Sequence, residues 1–291
     1  MKNANNEYQE ALRRAKKKYK EKLIGKCALV TGASGGMGFS VTRLLSEVGC
    51  KVYALDKNIS DELSALENVT AIVTDLTDAE SVREAYSQIA KKCRRLDFIL
   101  HFAGIYMLDS LVEMSEERLL FAYNVNLFGA ARINREMLPL LGKGSRILIT
   151  TSELAPLDPL PFTGIYALTK SALDKYAYSL RSELSLLGID VIVLRPGAVD
   201  TGMLGVSERE LDAFVARTEH YSCNAERFRG IVRSVEARRI SPVKLSERAL
   251  GAICAFRPRH HYSINRNPLL LLLELLPDRL ACYIIAKILK D

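Results

Sequence analysis

Tyr166 and Lys170 stand four residues apart in Tyr166-Ala167-Leu168-Thr169-Lys170. In a helix that spacing puts both side chains on one face, one turn apart. A phenol with an ordinary pKa of about 10 is a poor acid or base near neutrality. An ammonium fixed one turn away stabilises its anion through field and hydrogen bonding and lowers that value. The chemistry on offer is proton exchange near neutral pH. The same spacing also decorates solvated helix faces, so its meaning depends on its company. Ser152 lies fourteen residues upstream, just after the apolar run 146–150. Asn126 lies within a long helical segment, where a buried amide serves equally as a cap or as a kink filler. Alone, neither residue carries chemistry.

A second group sits near the N-terminus. Thr31-Gly32-Ala33-Ser34-Gly35-Gly36-Met37-Gly38 follows the first apolar run and opens a helix-length segment. Such a turn exposes backbone N–H groups at a helix N-terminus, where the dipole favours a pyrophosphate. Glycine permits close approach of the phosphates and tight helix–strand packing. Asp56 ends the second apolar run, 24 residues after Gly32. A carboxylate there accepts from both adenosine ribose hydroxyls and repels a 2′-phosphate, which favours NAD. Lys57 beside it leaves NADP possible, and a strand-end turn aspartate is the plainer alternative.

These residues need elements to hold them. Apolar runs at 27–31, 51–55, 70–74, 98–102, 146–150 and 191–194 alternate with helix-length segments at 37–48, 79–93, 115–141 and 165–187. The pattern predicts an α/β chain with a Rossmann-type doubly wound parallel sheet, helices on both faces, in a single domain. Asp78 is placed to cap the second helix, and Gly188 to close the fourth. The C-terminal ends of such strands face the ligand crevice, where the glycine turn, Asp56 and Ser152 all fall. Residues 202–245 read as charged and irregular, 259–264 as a final strand, and the Leu-rich stretch 269–276 as a helix. The expected divisions are a basic helical extension (1–24), a dinucleotide-binding and catalytic core (25–201), a substrate lid with the final strand (202–267) and a C-terminal helix (268–291).

Composition narrows the classes. The 291 residues are 48% hydrophobic and 26% charged, which excludes wholesale disorder. Residues 1–24 hold eight Lys or Arg and three Glu, five of the net +7 charge. The body is near neutral and offers no basic groove, so no nucleic-acid partner is expected. The extension over 5–23 reads as a solvated helix, with docking to an anionic membrane or a partner as the lesser alternative. Six scattered cysteines make no C-x-x-C, so no metal is expected. Without an apolar leader pattern, they fit a reducing, cytoplasmic setting as small core residues. His101, His220, His260 and His261 have no ligand or triad spacing and read as non-catalytic. The 269–276 stretch contains Glu274 and runs into Pro277-Asp278-Arg279, short of the roughly 20 apolar residues of a membrane span. It reads as a helix packing on the body or on a partner subunit, with peripheral membrane contact a minor alternative.

Taken together, the chain resembles the short-chain dehydrogenase/reductase family over nearly all of residues 25–200. The matching elements run in family order: Thr31-Gly32-x-x-x-Gly36-x-Gly38, Asp75-Leu76-Thr77, Ala103-Gly104, Asn124-Val125-Asn126, Ser152, Tyr166-x-x-x-Lys170, and Pro196-Gly197 through Val199 to Thr201. The resemblance implies that Asp75 and Leu76 lie near the adenine and Ala103-Gly104 beside the adenosine ribose. It implies that Tyr166 is the acid/base, that Lys170 holds the nicotinamide ribose and lowers the phenol pKa, and that Ser152 polarises the substrate oxygen. Asn126 would support a water linked to Lys170, and Thr201 would contact the carboxamide. One departure is Phe102, where the family usually has asparagine before Ala-Gly. The tail from Arg257-Pro258 to Leu276-Pro277-Asp278-Arg279 is similar to that of hydroxysteroid and retinol dehydrogenase-like members. The implied activity is NAD(P)-dependent hydride transfer with a small-molecule secondary alcohol or ketone of lipophilic character. Phe214, Tyr221 and Phe228 fit an apolar pocket or ordinary packing. An NADPH-preferring reductase of small carbonyl compounds is the near alternative. A non-enzymatic dinucleotide sensor or scaffold is the distant one, and the intact Asn126, Ser152, Tyr166 and Lys170 set argues against it. The resemblance also implies a homodimer or homotetramer through 115–141 and 165–187, where Leu173, Tyr176 and Leu180 point either outward or into the core.

Overall fold

All six apolar runs form strands, and a seventh strand follows near the C-terminus. The computed structural model describes residues 2–236 and 239–290. The strands are β1 (Cys27–Thr31), β2 (Lys51–Asp56), β3 (Val69–Val73), β4 (Phe98–His101), β5 (Arg146–Thr150), β6 (Asp190–Pro196) and β7 (His261–Ile264). Every pairing is parallel, in the order β3-β2-β1-β4-β5-β6-β7. The direction of winding reverses between β1 and β4, which opens a crevice at their C-terminal ends.

The helices are α1 (Lys2–Leu23), α2 (Gly36–Val48), α3 (Asp61–Ser64), α4 (Ala79–Ala90), α5 (Glu116–Tyr123), α6 (Gly129–Met137), α7 (Gly164–Ser185), α8 (Gly202–Arg217), α9 (Ser222–Glu236), α10 (Pro242–Ile253), α11 (Pro268–Leu273) and α12 (Asp278–Leu289). Asp78 caps α4 by accepting from Glu80 N at 2.9 Å, and Gly188 takes a φ of 72° after α7. One core layer lies under α1, α2 and α10, where Leu12, Val41, Leu44 and Leu250 meet. The other lies under α4, α6 and α7, where Val82, Ile133 and Leu173 meet. Tyr176 and Leu180 pack against this second layer, so all three apolar residues named on α7 face inward.

Five expectations change. The C-terminal stretch expected as one helix over 268–291 holds two, α11 and α12, parted by a turn at 274–277. Residues 115–141 are not one helix: a π-turn at Asn124–Phe128 separates α5 from α6, and a 3₁₀ turn at Leu138–Leu140 ends the segment. Residues 202–245, irregular by sequence, hold α8, α9 and the start of α10. The basic extension is not a solvated helix, because Tyr8, Ala11, Leu12, Ala15 and Leu23 are buried against α2 and α10. Among the cysteines, Cys50, Cys93 and Cys254 are core residues, whereas Cys223 and Cys282 are exposed.

Candidate active site

The crevice at the β1–β4 switch is a cleft of about 600 Å³. Gly32, Ser34, Gly35, Gly36, Met37, Gly38, Asp56, Asp75, Leu76, Ala103, Gly104 and Thr201 all line it. Gly32 has a φ of +68°, and a Cβ there would lie 2.5 Å from Ala103 N. At Gly38 a Cβ would lie 2.1 Å from Gly32 O. Glycine at these two positions lets α2 begin against the first strand. No side chain caps the first turn of α2, so its N–H groups face the cleft, as an anionic pyrophosphate requires. The wall therefore fits a dinucleotide.

Two carboxylates stand on that wall. Asp56 accepts from Ser34 N at 2.9 Å and from Asn58 N at 3.2 Å, tying the end of β2 to the glycine turn. Asp75 pairs with Lys57 at 2.8 Å and accepts from Thr77, and these contacts hold its carboxyl down at about 2. Phe102, at the position of the usual asparagine, is buried. The turn is secured instead by Phe102 N donating to Thr31 O at 3.1 Å and Ala103 N to Thr31 Oγ1 at 3.4 Å.

A second cavity of about 200 Å³ adjoins the cleft and shares Met37, Gly104 and Thr201 with it. Ser152, Tyr166, Lys170, Pro196, Gly197 and Val199 line this cavity. Val199 is largely withdrawn into the core, bridging to Ile240. Asn126 sits in the π-turn. Its Oδ1 accepts from Ile105 N at 2.8 Å, and its Nδ2 donates to Ile105 O at 3.0 Å and to Thr169 Oγ1 at 2.9 Å. The amide thus fixes the strand β4 exit to α7, and it does so from the place where the helix breaks. A Cβ on Gly104 would sit 3.1 Å from Asn126 Oδ1 and 3.2 Å from Lys170 Nζ, so these two polar atoms converge on one backbone position.

The ammonium of Lys170 donates to Thr150 O at 3.3 Å and lies 5.7 Å from the Tyr166 ring centre. Burial brings Lys170 down to about 8. Burial also pushes the Tyr166 phenol up to about 12, opposed by its hydrogen bond with Ser152 and reinforced by the Glu153 charge. The spacing argument expected a lowered phenol. In the free protein, burial of the two enclosed groups sets both directions. Tyr166 accordingly stands as a protonated phenol, ready to donate. His101 is buried, bonds Asn134 at 2.8 Å and is lowered to about 4, which leaves it neutral and outside the site.

A family model described as short chain dehydrogenase matches residues 26–212. The chain belongs to the short-chain dehydrogenase family. It is an oxidoreductase of alcohol and ketone groups. The chain is 30% identical over 227 residues to a 3-ketodihydrosphingosine reductase of Bacteroides thetaiotaomicron, spanning 78% of this chain and 81% of that protein. It is 32% identical over 191 residues to estradiol 17-beta-dehydrogenase 2 of Mus musculus, spanning 62% of this chain but half of that protein. A short chain dehydrogenase/reductase of Burkholderia phymatum, solved in complex with NAD, shares the fold with a TM-score of 0.73 at 21% identity, over 86% of this chain and 92% of that one. A short chain dehydrogenase of Burkholderia cenocepacia, solved with NADP, does so with a TM-score of 0.69 at 24% identity, over 92% and 99%.

Several lining residues of this short-chain dehydrogenase escaped sequence reasoning. Tyr106 stacks edge-on to Tyr166 at 4.7 Å. Glu153, next to Ser152, is a buried carboxyl whose Oε2 accepts from Asn267 N, and burial raises it. Leu154, Leu160, Ile231, Val232 and Leu270 complete an apolar wall. Of the three aromatics flagged after Thr201, only Phe228 lines the cavity. Phe214 and Tyr221 instead surround Phe162 at 4.8 and 5.4 Å. Only Glu153 had a local signal, being a charge directly after an apolar strand.

Proposed function

We propose that the chain transfers a hydride between a nicotinamide dinucleotide and a lipophilic secondary alcohol or ketone, with Tyr166 exchanging the proton at the substrate oxygen. The carrying observation is that Ser152, Tyr166 and Lys170 line one apolar cavity that opens into a dinucleotide-shaped cleft. Bound in the cleft, the dinucleotide supplies the hydride acceptor or donor. Ser152 positions and polarises the substrate oxygen through its hydroxyl. Lys170, with Asn126 beside it at Gly104, holds the ribose and relays the proton. Thr201 contacts the carboxamide end. The protonated state of Tyr166 suits donation to a ketone oxygen.

Asp56 at the ribose end supports NAD, whereas Lys57, whose charge would suit NADP, is engaged by Asp75. The apolar wall supports a lipophilic substrate, in keeping with a reductase and a dehydrogenase of lipid-like compounds among the relatives. A second copy of the chain is supported by Leu120, Phe121 and Phe128 exposed along 116–128 and Leu168 exposed on α7. A reducing, cytoplasmic setting is supported by six free cysteines.

The test is a panel of steroid, retinoid and small ketones and alcohols with NAD(H) and NADP(H), read at the reduced nicotinamide absorbance. Turnover should appear with a lipophilic member of the panel. Tyr166→Phe should lower it by roughly 10²–10⁴-fold while cofactor binding persists. Near-normal turnover in that variant would remove Tyr166 from the mechanism. Markedly tighter NADPH than NADH binding would remove the role given to Asp56.

A further inference from the structure

The C-terminal helices leave an apolar and basic face beside the mouth of the substrate cavity. Leu270 on α11 lines that cavity, while its neighbours Leu269 and Leu272 are exposed. Leu275 in the turn after α11 is 80% exposed, and Tyr283 on α12 is 62% exposed. α12 touches the body along one narrow edge, where Ile285 and Leu289 pack with Leu108, Leu211 and Phe228. At 100° per residue, the opposite edge carries Arg279, Tyr283 and Lys287 in one stripe, and Lys290 follows just beyond the helix, all exposed. Two of the three acids of this segment lie off that stripe, Glu274 accepting from Asp158 N and Asp278 beginning the helix, while Asp291 lies outside the described residues. Among the described residues, no helix is long and apolar enough to cross a membrane.

We propose that this face docks the enzyme on an anionic lipid surface, with the cavity mouth beside the bilayer. The proposal takes from the functional reading only that the substrate is lipophilic. A helix with leucine and tyrosine among lysine and arginine, and one thin edge buried, has the composition of one that lies in the interface plane. The charge decides between occupants. In a symmetric dimer the same patch meets itself, so the Arg279 and Lys287 face of the helix would meet its own copy and repel. Anionic headgroups complement the stripe, and the leucines beside it enter the acyl boundary. A lipophilic ketone dissolved in the bilayer would then enter past α11 without crossing water.

The test uses the full chain and flotation with vesicles of phosphatidylcholine, with and without phosphatidylglycerol, in the absence of substrate and cofactor. The chain should float with the anionic vesicles and release in high salt. Lys287→Gln should weaken this binding by about five-fold, the value of one basic residue near the surface. Leu275→Asp should weaken it by at least about ten-fold through lost apolar burial. Neither residue lines the cavity, so circular dichroism and turnover of a water-soluble ketone should be unchanged. Turnover of a vesicle-borne ketone should fall. Failure of the unaltered chain to float, or flotation indifferent to Leu275→Asp, overturns the proposal. So does conversion of a dimer to a monomer by Leu275→Asp without vesicle binding, which would assign the face to a second copy. Because flotation needs no turnover, an inactive chain that floats would fault the functional reading and leave the docking intact.

Discussion

Tyr166 and Lys170 pull against their enclosure. The phenol is driven toward its neutral form and the amine toward its own, so at neutral pH the pair holds a protonated phenol and an ammonium that is losing its proton near about 8. The ammonium is present below that value and absent above it. The kcat/KM for ketone reduction should therefore be level on the acid side and fall as pH rises through about 8. Lys170→Arg, which keeps its charge, should move that limb upward even at a lower rate. A profile level across pH about 6 to 9 would detach Lys170 from proton exchange. The same lowered value has a sign in stability: the unfolded chain binds the additional proton above about 8, so Lys170's burial penalty is relieved as pH rises there. The Tyr-x-x-x-Lys pair was legible because helix geometry alone puts it on one face. Its electrostatics were not, because they follow from enclosure by Thr150, Gly104 and Tyr106, which arrive from other parts of the chain. Glu153 left a local trace as a charge after an apolar strand, but its burial and contact did not, since its partner Asn267 is 114 residues away.

At the scale of elements, α9 lines the cavity, and α8, which precedes it, is fastened to the loop after β4 by a buried acid. Asp109 accepts from Arg118 Nε at 2.8 Å and pairs with Arg217 at 2.5 Å, and Arg118 reaches on to Glu210 on α8 at 2.6 Å. Glu113 adds contacts to Thr218 and to the backbone of Glu219 and His220. Asp109 is almost fully enclosed, whereas both arginines are partly open to water. Asp109→Asn should cost about 1–3 kcal/mol in urea unfolding, because two guanidinium groups lose their charged partner. KM for a lipophilic substrate should rise more than kcat falls, since the cover loosens while Tyr166 and Ser152 stay in place. An unchanged KM would show that α8 and α9 cover nothing that binds. The strands and α2, α4 and α7 were legible from apolar runs, Asp78 and Gly188. The break between α5 and α6 was not, because hydrophobic period carries straight through it. What breaks the helix is the Asn126 amide clamping the backbone of Ile105, a contact that exists only once β4 and α7 are placed. The cover itself was illegible because its charged residues pair with a loop about 100 residues earlier.

For the whole molecule, the N-terminal helix decides whether the basic extension is an appendage or a wall. Its charge drew the reading toward solvent, yet a stripe was present in the same letters: Tyr8, Ala11, Leu12, Ala15, Tyr19 and Leu23 recur at helical spacing. That stripe covers α2 and α10, the layer that backs the glycine turn. Polar contacts reinforce the seat. Arg14 meets Glu247 through both carboxylate oxygens, and Lys22 Nζ donates to Cys254 O at the C-terminal end of α10, where a cation also suits the helix dipole. The exposed Arg14 pair contributes at most about 1 kcal/mol, so the apolar seat dominates. Leu12→Ala should therefore lower unfolding stability by about 2–4 kcal/mol, whereas Lys16→Ala and Lys17→Ala on the open face should change it by less than about 0.5 kcal/mol. If the lysine variants destabilise and Leu12→Ala does not, the helix is held by charge and the packing account fails. With the seat lost, α2 loses its backing and the glycine turn its support, so Leu12→Ala should also weaken dinucleotide binding more than it slows the proton step at Tyr166, which stands on the opposite side of the sheet.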